Sequence, residues 1–285
     1  MIDVIHGDNL AALRELPDAA FDLIYVDPPF NTGREQKRVA LRTERSDDGD
    51  RVGFKGERYT SIRLGTKRYV DVFDDYLGFL EPRLREAHRV LAPTGSFFLH
   101  LDPREVHYVK VLLDAVFGRE CFMNEIIWAY DYGARSRTRW PAKHDNILWY
   151  VRDPARYTFQ LDEADRIPYM APTLVGEEKA GRGKTPTDTW WHTIVSPTGK
   201  EKTGYPTQKP LGILERIVRV HSKPGDRLLD FFAGSGSFGE AADRHGRDVM
   251  LVDDNPEAID VMRSRFAGRA VRHRLLDAPR AQPEC

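Results

Sequence analysis

The chain has 285 residues, of which 41% are hydrophobic and 31% charged, and its formal net charge is -1. That length suits one large α/β core carrying an excursion, and no uninterrupted apolar run approaches the ~18 residues of a membrane span. Two cysteines, Cys121 and Cys285, exclude a disulfide framework or a thiolate zinc site, and the nine scattered histidines offer no pair at ligand spacing, so no metal is expected.

The first residues, Met1-Ile2-Asp3-Val4, enter a folded pattern without a basic and then apolar leader, which points to the cytoplasm. A short helix over 8–16 follows, with Leu10, Leu13 and Leu16 on one face. Residues 21–26, Phe-Asp-Leu-Ile-Tyr-Val, read as a buried parallel strand stopped by Asp27-Pro28-Pro29. Residues 31–70 then hold eleven Lys and Arg, beginning with Arg34, Lys37 and Arg38, against six acids. A solvated basic loop is one reading of this segment and phosphate contact is the other. A long helix is predicted over 72–91, with Tyr76, Leu80, Leu84 and His88 in one stripe and a bend at Pro82. A strand over 96–101 leads into Asp102-Pro103-Arg104-Glu105, read as a capping box with Pro at the first position of a helix ending near Phe117.

Strands are predicted at 122–130 and 145–152, bracketing a second basic stretch of Arg135, Arg137, Arg139 and Lys143 with Trp140 inside it. Residues 153–205 contain repeated Pro and Gly and no sustained period, so they read as an irregular excursion rather than part of a central sheet. Regular pattern returns as a helix over 210–222, a strand over 227–231, a helix over 235–245, a strand over 248–252 and a helix from Pro256. This βαβα order marks a parallel sheet covered by helices.

Two motifs fall where strands end. Asp230-Phe231-Phe232-Ala233-Gly234-Ser235-Gly236 joins a strand to a helix, where small residues let backbone approach a ligand and the helix start offers unpaired N–H groups. Asp253 closes the next strand, where an acid can bridge ribose hydroxyls in a dinucleotide-type fold. The alternatives are a purely structural tight turn and an acid favouring the helix that begins near Pro256. In Asp27-Pro28-Pro29-Phe30, consecutive prolines remove two N–H donors, leaving a carboxylate and carbonyl oxygens for an NH2 group, with Phe30 placed to stack on the base that bears it. A rigid strand-ending turn with Phe30 in the core is the alternative. Ligands of open α/β sheets bind at such strand ends, so one shared site is expected.

Together these motifs make the chain resemble the amino-methyltransferases of DNA, in the β class, whose catalytic motif precedes the cofactor motif. The match takes in Gly7-Asp8, residues 23–30, the strand around 97–102, Lys143-His144-Asp145 to Val151, Tyr205-Pro206-Thr207-Gln208-Lys209-Pro210, and the loop from Asp230 to Gly236. It departs at Phe231, where Pro is common, and at Ser237-Phe238, where Thr-Thr is frequent. The resemblance implies a Rossmann-like S-adenosylmethionine-dependent methyltransferase sheet with circularly permuted motif order. It implies a catalytic half over 1–152 with the basic segment inserted, a target-recognition excursion over 153–205 and a cofactor half over 206–285. Asp27 and the Pro28 carbonyl would hold the target amine, with Pro29 and Phe30 completing the corner. Gly234 and Gly236, with Phe232, Ala233, Ser235, Asp230, Thr207 and Lys209, would surround the methionine part of the cofactor, Asp253 would take its ribose, and Asp8 would lie near its adenine or the catalytic corner. The substrate implied is a flipped-out base in double-stranded DNA, its phosphates held by Arg34, Lys37, Arg38, Arg135, Arg137, Arg139 and Lys143. Trp190, Trp191 and His192 would read bases or else pack the excursion on the sheet. Asp at the first motif position favours adenine N6 over cytosine N4. Relatives of this kind are often dimers, and the resemblance leaves open a cognate restriction endonuclease as partner. RNA or protein methyltransferases with a similar corner usually place the cofactor motif first, and a non-catalytic DNA-binding protein would not need both motifs.

Overall fold

The computed structural model describes residues 1–31, 73–133, 135–196, 199 and 201–276 in full, and 34–45, 51–52 and 58–71 as backbone. In chain order the strands are β1 Ile2–His6, β2 Phe21–Val26, β3 Arg34–Arg45, β4 Arg51–Val52, β5 Arg58–Asp71, β6 Leu91–Leu101, β7 Phe122–Ala129, β8 His144–Val151, β9 Thr189–Trp191, β10 Arg227–Asp230, β11 Asp248–Asp253 and β12 Val271–Leu275. The α-helices are α1 Asn9–Glu15, α2 Tyr76–Val90, α3 Val106–Phe117, α4 Glu177–Arg182, α5 Leu211–His221, α6 Ser237–Arg244 and α7 Pro256–Arg265. The chain divides into two compact units, Met1–Pro28 with Leu77–Cys285, and Pro29–Tyr76.

In the first unit, nine strands among the described residues form one sheet in the order β12-β1-β11-β10-β2-β6-β8-β7-β9. From β12 to β6 all neighbours are parallel, and β8 runs antiparallel between β6 and β7. The connection after β10 proceeds to β11 on one side, whereas β2 leads to β6 on the other, so strand order reverses between β10 and β2. The central strands are covered on both faces, and Leu23, Ile24, Val26, Phe97, Phe98, Leu228, Leu229 and Leu251 are fully buried. That burial is why these strands read as apolar runs rather than as an alternation. No helix among the described residues is long and apolar enough to cross a membrane.

Several expectations are corrected. Helix α2 starts at Tyr76 rather than at residue 72, and the residues after Val90 already belong to β6, because Phe21 of β2 pairs with Leu91 ahead of the Pro93-Thr94-Gly95 stretch. The capping box at Asp102 does not form: its carboxylate accepts from the backbone N–H of Arg104 at 3.0 Å and from Arg104 Nε at 2.6 Å, and α3 begins beyond it at Val106. Helix α6 begins at Ser237 rather than 235, since Gly234 and Gly236 at φ +50° and +71° keep the chain out of helix until then. Strands β1 and β12 at the β11 edge were not anticipated. The excursion is largely irregular, yet its β9 pairs parallel with β7 and so extends the sheet. Trp190 is buried there beneath the Arg216 guanidinium, 4.7 Å from its ring, while Trp191 is 74% exposed.

In the second unit the described residues of the basic segment are strands rather than loop: β3, β5 and β4 form an antiparallel sheet, with Arg34 paired to Asp71 and Arg45 to Tyr59. The charge count had masked β-prone stretches such as Tyr59-Thr60-Ser61-Ile62.

One core histidine sets an acid limit on stability. His221, in the last turn of α5, lies 4.4 Å from the Trp149 ring and 4.8 Å from Phe98, and burial depresses its pKa to about 3. Its folded pKa lies below the unfolded value, so its neutral form is fully compatible with folding above pH 6.5 and stability is lost as pH falls below that. From pH 7 to pH 5 this residue alone should cost about 2 kcal/mol, at about 1.4 kcal/mol per pH unit. Urea melts of His221→Leu should show that much less acid sensitivity than the unsubstituted chain.

Candidate active site

Strands β10 and β2 lie side by side, with Leu228 paired to Leu23 and Leu229 to Ile24, so the two motif loops leave the same rim of the sheet. Asp27 follows the end of β2 and Asp230 ends β10. Lys209, 182 residues further along than Asp27 and just ahead of α5, donates from Nζ to Asp27 Oδ2 at 2.5 Å. Both side chains are mostly covered, at 11% and 15% exposure. The other oxygen, Asp27 Oδ1, is buried without a hydrogen-bond partner among the described residues. A buried acceptor left without a hydrogen bond costs ~1–3 kcal/mol.

The glycine loop is braced from three sides. Asp230, fully buried, accepts from the Phe232 N–H at 3.0 Å, and burial together with the charges of Asp27 and Asp253 pushes its carboxyl well above the usual range against that hydrogen bond. Asp253 at the end of β11 accepts from the Gly234 N–H at 2.7 Å and the Asn255 N–H at 2.9 Å. Its pKa is raised to about 6, chiefly by burial and further by Asp254, while those two hydrogen bonds pull it down. Ala233 N–H donates to the Val252 carbonyl at 3.1 Å, and Gly236 N–H to that of Ala233 at 2.8 Å. Ser235 Oγ lies 2.9 Å from Ser237 Oγ.

From below, Asn9 Nδ2 donates to the Phe231 carbonyl at 2.8 Å and its Oδ1 accepts from Arg83 Nε at 2.6 Å. Asp8 caps α1 through the Ala11 N–H at 2.8 Å and pairs with Arg83 at 3.2 Å. The Arg83 guanidinium stacks 3.9 Å from Phe79, whose ring lies 6.1 Å from Phe232. Asn9, Arg83, Tyr205 and Asn255 were not anticipated as site residues. Tyr205 lies over the loop, its ring 3.3 Å from the position a Cβ on Gly234 would take, and its hydroxyl accepts from Asn255 at 3.4 Å. Two signals were there: Asp8-Asn9 as a helix start, and Tyr205 as the first residue of the matched motif running to Pro210.

The other expected residues are more dispersed. Thr207 is exposed in the turn ahead of α5, beside Gln208, whose amide donates to the Glu201 carbonyl at 2.6 Å. Pro29 and Phe30 belong to the second unit, where the Pro29 carbonyl accepts from the Tyr76 hydroxyl at 2.7 Å. Arg135, Arg137 and Arg139 are exposed beside Trp140, and Lys143 pairs with Asp131 at 2.6 Å. The side chains of Arg34, Lys37 and Arg38 lie outside the described residues, as does Cys285.

A parallel sheet with a glycine loop at its switch point, an acid closing the neighbouring strand and an antiparallel strand inserted beyond β6 is the Rossmann-like fold of solved methyltransferase structures. The family model for DNA methylases of the N6 and N4 kind matches residues 21–264, and the chain belongs to that family of DNA amino-methyltransferases, whose methyl donor is S-adenosylmethionine. It is 28% identical over 263 residues to the type II methyltransferase M.HpaI of Haemophilus parainfluenzae, spanning 92% of this chain and 73% of that protein. It is 29% identical over 269 residues to the DNA adenine methyltransferase YhdJ of Escherichia coli (strain K12), spanning 90% and 79%. The solved structure of the cytosine-N4-specific PvuII DNA methyltransferase shares the fold with a TM-score of 0.62 at 16% identity, over 92% of this chain and 85% of that one.

Proposed function

We propose that this protein methylates the N6 amino group of adenine in double-stranded DNA, after the base has been flipped out of the stack. The observation that carries the reading is the buried, unmatched Oδ1 of Asp27, with Lys209 on the other oxygen, at a strand end beside the glycine loop. The exocyclic amine delocalises its lone pair into the ring and is a poor nucleophile. Asp27 Oδ1 and the Pro28 carbonyl accept its two hydrogens, favour a tetrahedral nitrogen and stabilise the positive charge that grows there. Lys209, bonded to Oδ2, fixes the Asp27 carboxylate in rotation and leaves Oδ1 to the amine.

The rim fits the methyl donor. Glycines with positive φ open the loop after β10, and a mostly buried carboxylate ends β11, where ribose hydroxyls are met in folds of this type. When bound, S-adenosylmethionine supplies an electrophilic sulfonium methyl. Gly234, Ser235 and Gly236 would hold its methionine part, Asp253 its ribose and Asp8 its adenine side, while Asp230, Phe232 and Ala233 shape the loop. Exposed Arg135, Arg137 and Arg139 are assigned to DNA phosphates.

Because Asp253 must be ionised to accept two ribose hydroxyls, and its pKa is about 6, cofactor affinity should fall as pH drops through 6, approaching tenfold per pH unit below it. Calorimetric titration with S-adenosylhomocysteine between pH 5 and 8 measures this, and Asp253→Asn should bind weakly at every pH with no such slope.

The kinship with YhdJ and the Asp at position 27 support adenine. The fold shared with the PvuII enzyme keeps cytosine N4 as the second reading. Mass spectrometry of nucleosides from plasmid methylated by the protein separates them: N6-methyladenine is expected, and N4-methylcytosine would replace the first reading with the second.

A further inference from the structure

The roles given so far leave unused a buried polar chain that runs across three adjacent strands, and we infer that Tyr25, His100 and Asp145 form a positioning device for methyl transfer. It sets the distance between the strand carrying Asp27 and the helix that follows the glycine loop. The inference rests on the proposed function.

His100 on β6 has no solvent exposure. Its Nδ1 lies 2.8 Å from the Tyr25 hydroxyl on β2, and its Nε2 lies 3.1 Å from Asp145 Oδ2 on β8. The Tyr130 hydroxyl donates to Asp145 Oδ1 at 3.1 Å. Burial, reinforced by neighbouring aspartates, raises both phenols well above their ordinary value, so both keep their protons. Burial alone would raise Asp145 too, but the contacts with His100 and Tyr130 and the charge of Lys209 together hold the carboxyl below its ordinary value.

Tyr25 is the point at which this chain meets the site. It stands two residues before Asp27, which follows the end of β2, and its phenol lies close enough to feel the charge of that carboxylate. Its ring stacks on Phe238 at 5.3 Å and 22°. Phe238 lies in the first turn of α6, two residues beyond Gly236. Tyr25 therefore spaces the carboxylate's strand from the cofactor loop's helix.

Apolar residues would fill the same volume without desolvating an imidazole and a carboxylate, which is often the more stable choice. What the polar chain adds is direction, because hydrogen bonds fix the depth and rotation of a ring that stacking alone leaves free to slide. In-line transfer needs reacting atoms at about 3–3.5 Å, and a ~1 Å misplacement costs on the order of 10²-fold in rate.

The test uses Tyr25→Phe, His100→Gln and the double variant, in single-turnover methyl transfer at saturating cofactor and DNA. Dissociation constants for S-adenosylhomocysteine and DNA and the Tm are measured beside it. Tyr25→Phe deletes one oxygen and keeps the ring on Phe238, so it decides the matter even if His100→Gln does not fold. The expected result is a ~10- to 100-fold slower transfer step in each single variant with both dissociation constants within about threefold of the unsubstituted chain. The double variant should be no slower than the worse single one, because both act through one chain. A Tyr25→Phe protein that transfers methyl at the unsubstituted rate, with only its Tm lowered, overturns the positioning role and leaves the proposed function standing. No transfer to DNA by the unsubstituted chain overturns both.

Discussion

Asp27→Ala should lower the rate of methyl transfer by ~10²-fold or more while S-adenosylhomocysteine and DNA still bind. That is the size of effect expected when a preorganised acceptor for developing charge is removed. The substitution has a second consequence that must be separated from the first. Lys209 loses the counter-charge 2.5 Å away, in a position where both partners are mostly covered. Breaking one side of a buried pair costs ~3–5 kcal/mol, with this pair at the lower end because neither partner is fully enclosed. A loss of activity in Asp27→Ala could therefore reflect unfolding alone. The double variant Asp27→Ala with Lys209→Met removes both charges, and it should regain most of the stability lost by the single change and none of the activity. Urea melts beside a labelled-cofactor transfer assay measure the two effects. Near-normal methylation by the double variant would show that Oδ1 of Asp27 is not the acceptor of the target amine.

The two loops at this rim were legible in the sequence because each follows a strand buried on both faces. Residues 21–26 read as a short apolar run stopped by Asp27-Pro28-Pro29, and residues 227–231 as a strand of the βαβα series that ends in a glycine loop, and both signals are local. Their meeting followed from the rule that open sheets bind at strand ends, and the β10–β2 pairing bears it out. What escaped has partners far away in the chain. Strand β12, Val-Arg-His-Arg-Leu, has an exposed, charged pattern and is a strand only because β1 lies beside it. Strand β9 exists through its pairing with β7. The Asn9 bond to Phe231 joins residues 222 apart, and Arg83 is one arginine among many until the fold brings it under the loop. Tyr25 and His100 read simply as strand residues, since nothing local reveals that a hydroxyl and an imidazole 75 positions apart will meet. The failed cap at Asp102 is a different case: Arg104, two residues on, competes for the carboxylate with the helix start and wins by charge.

Gly236 and Gly246 allow the cofactor loop to be tested without touching a charged group. Their φ values are nearly equal, +71° and +72°, in the left-handed region where an L side chain costs ~1–2 kcal/mol. Their surroundings differ. A Cβ on Gly236 would lie 2.8 Å from Met262 Cγ and 3.2 Å from the Phe266 ring, both buried, whereas one on Gly246 would meet nothing within 4 Å. Gly246→Ala should therefore cost only the backbone term. Gly236→Ala should cost that plus ~1–3 kcal/mol of overpacking, about 2–5 kcal/mol together. The same displacement pushes the first turn of α6 away from α7 and carries Gly234 and Ser235 with it, so affinity for S-adenosylhomocysteine should fall at least tenfold in Gly236→Ala and stay unchanged in Gly246→Ala. Equal affinities in the two variants, at temperatures where both are folded, would mean that the cofactor does not rest on this loop.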